Sequence, residues 1–138
     1  MGNRNGSRFR KFYREQVGYI LARLDAFYKE GVLPIETYLR ICEQTGEDPD
    51  PMKMPPDRSE FPIEVQEAFL LHDFLPDTWI EGGYLGKNYS SLDSLLNVFN
   101  IEEKQQVVIF LKHIDARNMA KINKELERKR KSAESKKA

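Results

Sequence analysis

Residues 9–28 read FRKFYREQVGYILARLDAFY and hold the clearest periodic pattern in the chain. The apolar side chains follow the three- and four-residue spacing of one helical face: Phe9, Phe12, Tyr13, Val17, Ile20, Leu21, Leu24, Phe27 and Tyr28. Such a stripe is typical of a helix that packs against other helices, more than of a face that binds a cofactor or stacks bases. We therefore expect a long amphipathic first helix.

The next segment predicts a second, antiparallel helix. Gly31 can take the positive φ of a helix end, and Pro34 suits the start of a new helix because its missing N–H is not needed there. The second helix should end at Gly46, with four side chains facing inward: Ile35, Tyr38, Leu39 and Cys42. Residues 47–56 contain four prolines, which exclude a helix and predict an extended strap.

Three more helices are expected in the second half of the chain. The third should begin near Ser59, end at Pro76, and bury Val65, Ala68, Phe69 and His72. Residues 76–89 combine three glycines with three aromatic residues and predict an ordered loop. A fourth helix should start in a capping box of Ser90 and Asp93 and stop at Asn100. A last helix is expected from Glu102 to about Lys131, followed by a fraying tail.

These elements predict an all-α protein, a single compact bundle of about five helices with a proline-rich strap, a Gly/aromatic loop and a basic C-terminal helix. We expect a flexible basic arm over residues 1–7, a helical domain over 8–131 and a Lys-rich tail over 132–138. Four side chains are predicted to be core positions: Phe12, Leu24, Phe69 and Leu96.

Charge is segregated along the chain although the formal net charge is zero. Residues 1–14 carry +5 and residues 117–138 carry +6, so the remainder carries −11. A basic patch is therefore predicted at the two ends: Arg8, Arg10, Lys11, Arg128, Lys129, Arg130 and Lys131. These residues could bind nucleic acid through its phosphates, but an acidic body would repel a polyanion, so nucleic acid is the alternative partner and not the favoured one.

The sequence shows no assembled catalytic or metal-binding motif. Residues 82–88 read GGYLGKN, which departs from a phosphate-binding loop in the glycine spacing and in lacking a hydroxyl residue after the lysine. His72 beside Asp73, and His113 beside Asp115, could act as general bases, yet no nucleophile motif accompanies them. Zinc sites need three or four convergent ligands, which one cysteine and two distant histidines do not supply. We expect no catalytic residues, no metal and no cofactor.

Cysteine content and hydropathy indicate the cellular setting. Cys42 is the only cysteine and cannot form an internal disulfide, which favours a reducing compartment. No stretch approaches the roughly 20 apolar residues that a membrane helix needs, so no membrane association is expected.

The Gly/aromatic loop is the candidate interaction site. Its glycines allow the backbone to turn back and bring together a set of large side chains with one lysine at the rim: Trp79, Tyr84, Leu85, Lys87 and Tyr89. Aromatic anchors of this kind dominate interface energies, and a rim cation can steer an acidic partner. The alternative is that these aromatic residues are buried under the helices.

A family resemblance rests on residues 54–101. The segments that carry it read MPP at 54–56, FPIEVQEAF at 61–69, LPDTW at 75–79 and GYLGKNY at 83–89, followed by Leu92, Leu95, Leu96 and Ile101. They resemble small helical proteins encoded among the morphogenesis genes of tailed bacteriophages, particularly marine phages, and are similar in pattern to phage tail-assembly chaperones. The long basic C-terminal helix departs from that pattern.

The resemblance implies a non-enzymatic protein that acts through protein–protein contacts, as a tail or baseplate assembly chaperone or as a minor virion component. The implied partners are other phage tail or baseplate proteins, and a homo-oligomer is also compatible. The implied location is the host cytoplasm or the virion.

Overall fold

The computed structural model describes the backbone of residues 3–29 and 32–137 and the side chains of residues 15–29 and 32–136. Over these residues the chain is mostly helical, as predicted, with a short 3-10 helix and one pair of strands. The elements are α1 Asn3–Phe27, α2 Ile35–Thr45, the 3-10 helix Arg58–Glu60, α3 Ile63–Phe74, β1 Asp77–Ile80, β2 Gly83–Lys87, α4 Leu92–Val98 and α5 Lys104–Lys137. The prediction of a purely all-α fold is wrong, because residues 77–87 form an antiparallel hairpin.

The chain divides into two compact units, residues 1–61 and 62–138. The single compact bundle predicted for residues 8–131 stays a prediction. Helix α1 begins at Asn3, so the backbone of residues 3–7 is helical where a flexible arm was expected. The described side chains do not include those of the predicted core residue Phe12 or of the basic residues Arg8, Arg10 and Lys11. Gly31 also lies outside the described residues.

The first unit folds its later residues back onto α1. Leu24 is fully buried, as predicted. Arg23 donates two Nη2 hydrogen bonds to the carboxylate of Glu60, at 2.7 and 3.0 Å. The rings of Phe27 and Phe61 meet edge to face, with centroids 6.2 Å apart. An ion pair and an aromatic contact therefore hold the segment after the strap against the first helix.

Helix α2 has the predicted ends and a narrower buried face than predicted. Pro34 precedes its first turn, and Gly46 closes it with φ 74°, a conformation that glycine adopts without steric cost. Cys42 is buried, whereas Leu39 is exposed. In the strap, the backbone N–H of Asp50 donates to the hydroxyl of Tyr38, at 3.2 Å.

The second unit has its core between α3 and α5. All four predicted inner residues of α3 are buried: Val65, Ala68, Phe69 and His72. From α5 the buried side chains are Val107, Phe110, Leu111 and Ile114. Helix α3 begins at Ile63 and not near Ser59, because Pro62 holds an extended conformation and also restricts Phe61 before it.

The ends of α4 and α5 differ in detail from the prediction. Ser91 occupies the N-cap of α4 without a side-chain hydrogen bond, and the N–H of Ser90 donates to Asn88 instead, so the predicted capping box is wrong. Asn100 takes φ 51°, which breaks the helix as expected, and Leu96 is buried. Helix α5 continues to Lys137, beyond its predicted end near Lys131. No helix over the described residues is long and apolar enough to cross a membrane.

Candidate functional site

The Gly/aromatic segment forms a tight β-hairpin. Trp79 lies opposite Tyr84 and Ile80 opposite Gly83, with a bulge between Asp77 and Trp79. Residues 81 and 82 make the turn, and Gly82 has φ 94°, a backbone conformation that favours glycine. The hairpin is therefore a defined two-stranded element where a loop was predicted.

Side chains of α5 pair with the outer edge of β2. The side-chain amide of Asn123 makes two hydrogen bonds to the backbone of Tyr84. Its Oδ1 accepts from the Tyr84 N–H at 2.9 Å, and its Nδ2 donates to the Tyr84 carbonyl at 2.9 Å. The Asp115 carboxylate accepts the N–H of Lys87 at 3.1 and 3.2 Å. Arg130 donates to the carbonyl of Gly82. One face of a helix thus supplies partners that a third strand would otherwise provide.

Two glycines of β2 allow this close approach. A Cβ atom at Gly86 would stand 2.8 Å from Asp115 Oδ2, and one at Gly83 would stand 3.2 Å from Asn123 Oδ1. Gly86 also has φ 92°. The glycines that resemble a phosphate-binding loop therefore lie against a helix, and the group nearest Gly86 is a carboxylate, which would repel phosphate.

Asp115 is the centre of a buried polar cluster. Its Oδ2 accepts the hydroxyl of Tyr89 at 2.5 Å, and its Oδ1 lies 3.6 Å from His72 Nε2. Burial raises the pKa of Tyr89, and the hydrogen bond to Asp115 raises it further. The ammonium group of Lys112 lies 4.0 Å from the centroid of the Tyr89 ring. Tyr89 is therefore held on its hydroxyl and on one ring face.

His72 is buried beside this carboxylate without a hydrogen bond to its Nε2 atom within the described part of the chain. Burial lowers the pKa of His72 and the neighbouring Lys87 lowers it further, whereas Asp115 and Asp73 act in the opposite direction. The sequence placed His72 with Asp73 and His113 with Asp115, but the structure brings His72 and Asp115 together. No three His, Cys, Asp or Glu side chains among the described residues are grouped so that they could hold a metal ion.

A second polar group ties the two strands together. Asp77 accepts the hydroxyl of Tyr84 at 2.7 Å and lies 2.8 Å from Lys87 Nζ. The hydrogen bond from Lys87 is the largest cause that lowers the pKa of Asp77, followed by the one from Tyr84. Burial raises the pKa of the Tyr84 hydroxyl. The side chains of Tyr84 and Lys87 therefore stabilise the hairpin itself.

Three apolar side chains of the hairpin are exposed. Trp79 is 57% exposed, Ile80 55% and Leu85 52%. The ring of Trp79 contacts that of Tyr84, its cross-strand partner, with centroids 4.8 Å apart. Because neighbouring strand residues point to opposite faces, Trp79 lies on the Tyr84 side of the hairpin, and Ile80 and Leu85 lie on the other side. We call Trp79, Ile80 and Leu85 the hairpin surface.

The structure separates the five residues of the predicted interaction site into two groups. Trp79 and Leu85 belong to the hairpin surface, whereas Tyr84 is 2% exposed, the Lys87 side chain 10% exposed, and Tyr89 is half-buried in the Asp115 cluster. Ile80 was not among the predicted residues, and its exposure is visible only in the folded hairpin.

The basic patch is divided in a similar way. Arg130 holds the hairpin turn, while Arg128, Lys129 and Lys131 are exposed on other sides of α5.

Comparison with protein-family models, curated proteins and solved structures gave no match.

Proposed function

We propose that this chain is a non-enzymatic morphogenesis protein of a tailed phage, a tail or baseplate assembly chaperone or a minor virion component, that binds a tail or baseplate protein through the hairpin surface. The observation that carries the proposal is a set of exposed apolar side chains on a hairpin that α5 holds by side-chain hydrogen bonds. The phage setting comes from the resemblance of residues 54–101 to tail-assembly chaperones.

The chemistry of the hairpin surface favours a protein partner. One tryptophan and two aliphatic side chains, each more than half exposed, offer the type of apolar anchor that dominates protein interfaces. Because the hairpin is already ordered by Asn123 and Asp115, binding would cost little conformational entropy. Lys87 is paired with Asp77, so we leave it out of the contact surface.

The test is co-expression of this chain with the tail and baseplate proteins encoded beside it, followed by size-exclusion chromatography and calorimetric titration of each complex. Trp79→Ala combined with Leu85→Ala should weaken the complex by at least about 30-fold, the effect of losing a hot spot of about 2 kcal/mol. The circular dichroism of the variant should keep its helical signal.

A matched control removes the same number of exposed apolar side chains from positions outside the hairpin. Met52 and Val98 are 93% and 71% exposed and lie outside the hairpin. Met52→Ala combined with Val98→Ala should bind like the parent chain. Equal weakening by both double variants, or no complex with any neighbouring tail or baseplate protein, would refute the proposed function.

A further inference from the structure

The C-terminal half of α5 carries a straight row of basic residues. They are spaced by four, three, four and three residues: Arg117, Lys121, Lys124, Arg128 and Lys131. At 3.6 residues and 5.4 Å per turn, this spacing places all five within about 80° of arc and along about 21 Å of helix axis. All five side chains are exposed. We call this row the basic stripe.

The basic stripe lies on the side of α5 away from the hairpin. The three residues that hold β2 and its turn, Asp115, Asn123 and Arg130, project about 160–240° around the helix from Arg117. Between residues 117 and 137, the only residue besides these five that falls within the same arc is Ser135, so the arc contains no acidic residue. The stripe is therefore a continuous cationic surface that the hairpin does not cover.

The cations of the stripe are exposed although they have partners within the protein. Arg117, Lys124 and Arg128 each take part in such an interaction, and all three side chains are exposed. Lys131 Nζ lies 3.5 Å from Glu127 Oε1, with both side chains at least two-thirds exposed. Exposed pairs of this kind contribute about 0–1 kcal/mol and are screened by salt. A phosphate group can therefore replace the glutamate at little cost.

We propose that the basic stripe binds the phosphate backbone of double-stranded DNA. Duplex DNA carries one negative charge per roughly 1.7 Å of its axis, so a cationic row about 21 Å long meets enough phosphates to pair every member. Such contacts fix the position of a protein on the duplex without reading its sequence. This binding uses residues separate from the hairpin surface and goes beyond the proposed function.

The lack of apolar side chains within the basic stripe argues against a protein or a membrane as its ligand. The centres of protein interfaces are depleted in lysine and rich in apolar anchors, and the stripe has none within its arc. A helix that lies in a membrane surface needs an apolar face beside its basic one. The apolar residues of this part of α5, Met119, Ile122 and Leu126, are on the side that carries the hairpin.

The form of the nucleic acid follows from what the stripe lacks. Proteins that bind single strands stack the bases on aromatic side chains, and residues 117–137 contain no aromatic residue. The major groove of A-form RNA is too narrow for side chains to enter, whereas that of B-form DNA, about 12 Å wide, admits an α-helix. Duplex DNA is therefore the form that an unbroken helix fits.

Charge elsewhere in the second unit sets the strength of binding. Residues 62–116 contain nine acidic and three basic residues, a formal charge of −6. Phosphates must therefore stay close to the stripe, and the affinity should depend steeply on salt. With five phosphate contacts, the logarithm of the association constant should fall with a slope of about −4.5 against the logarithm of salt concentration, about 500-fold between 50 and 200 mM.

The experiment is a fluorescence anisotropy titration of the full chain against a labelled 30-base-pair DNA of mixed sequence. Lys121→Gln combined with Lys124→Gln should weaken binding on the order of 100-fold at 50 mM salt and reduce the slope by about 2. Lys129→Gln combined with Lys136→Gln removes the same charge from positions about 100–120° away on the helix and should change binding less than about 5-fold. Helicity of both variants is checked by circular dichroism.

Several results would overturn the proposal. One is no binding by the parent chain at 50 mM salt, and another is equal weakening by the two double variants, which would mean that net charge alone matters. Tighter binding to single-stranded DNA, to duplex RNA or to vesicles rich in phosphatidylserine would assign the stripe to that ligand instead. The hairpin variant Trp79→Ala with Leu85→Ala should bind DNA like the parent chain, which separates this test from that of the proposed function.

Discussion

At the scale of single residues, His72 shows how much a buried environment depends on distant parts of the chain. The sequence predicts its burial, because it lies on the inner face of α3. Its position beside Asp115 depends on how α3 packs against α5, which no local pattern reports. The result is a buried imidazole whose Nε2 lies 3.6 Å from a carboxylate that already accepts the Tyr89 hydroxyl and the Lys87 N–H.

This environment predicts an acid sensitivity of folding. The pKa of His72 is lowered in the folded protein, so below its ordinary value of 6.5 the unfolded chain takes up the proton first. Stability should therefore fall as the pH drops from 6.5 through the folded pKa. We expect the free energy of unfolding in urea to decrease between pH 7.5 and 5.5, and to decrease less than half as much in His72→Leu.

The other histidine provides the control for this effect. His113→Gln removes the other imidazole of the chain, and its pH dependence should stay closer to that of the parent chain than that of His72→Leu does. If His72→Leu and the parent chain lose the same free energy over this interval, protonation of His72 does not control the acid sensitivity.

At the scale of elements, the helices were predictable and the hairpin was not. Helices α1, α2, α3 and α5 each show a local apolar period, and Pro34 and Gly46 mark the ends of α2 as expected. Strand β2 depends on hydrogen bonds to side chains 28 and 39 residues further along the chain. Asn123 and Asp115 look like ordinary polar residues of a helix, so their role as partners of a strand becomes visible only in the folded protein.

The same reason explains the divided outcome for the candidate site. Composition placed Trp79, Tyr84 and Leu85 in one segment, and that much was predictable. Which of them points outward depends on strand alternation, with Tyr84 and Gly86 towards α5 and Leu85 away from it. A segment interpreted as a loop has no such alternation, so the buried Tyr84 was grouped with the exposed residues.

The close contact of β2 with α5 predicts that adding one methyl group at Gly86 lowers the free energy of unfolding strongly. Gly86→Ala places a Cβ atom 2.8 Å from Asp115 Oδ2 and forces a side chain onto a residue with φ 92°. Gly46→Ala provides a matched control, because Gly46 has φ 74° and open space around the added atom. The left-handed backbone alone costs roughly 1–2 kcal/mol. We expect Gly86→Ala to lose at least about 2 kcal/mol more than Gly46→Ala, measured by urea unfolding.

Two results would contradict or refine this account of the contact between β2 and α5. If the two glycine variants lose the same free energy, the close approach of β2 to Asp115 contributes nothing and only backbone strain remains. Loss of the near-ultraviolet signal of Trp79 in Gly86→Ala, with the helical signal retained, would show that the hairpin has detached from α5.

At the scale of the whole molecule, the buried apolar side chains that the structure describes are unequally divided between the two units. Among the described residues, those in the first unit are Leu24, Cys42, Pro55 and Phe61. Those in the second unit are Val65, Ala68, Phe69, Leu71, Leu75, Tyr84, Leu96, Ile101, Val107, Phe110, Leu111 and Ile114. Hydrophobic burial is the largest favourable contribution to folding, so the second unit holds most of the stability that these side chains supply.

This division predicts that residues 62–138 fold without the first unit. A chain of this length is near the lower limit for a single core, but its buried residues come from α3, α4, α5 and the hairpin together, so they contact one another within the fragment. The fragment should show a helical circular dichroism spectrum and one cooperative urea transition, and Phe69→Ala in the fragment should cost about 3–5 kcal/mol and abolish that transition. The separate fragment of residues 1–61 should unfold without a cooperative transition. If the second fragment instead lacks a transition that the full chain shows, its core requires residues of the first unit, and the two units form one cooperative structure.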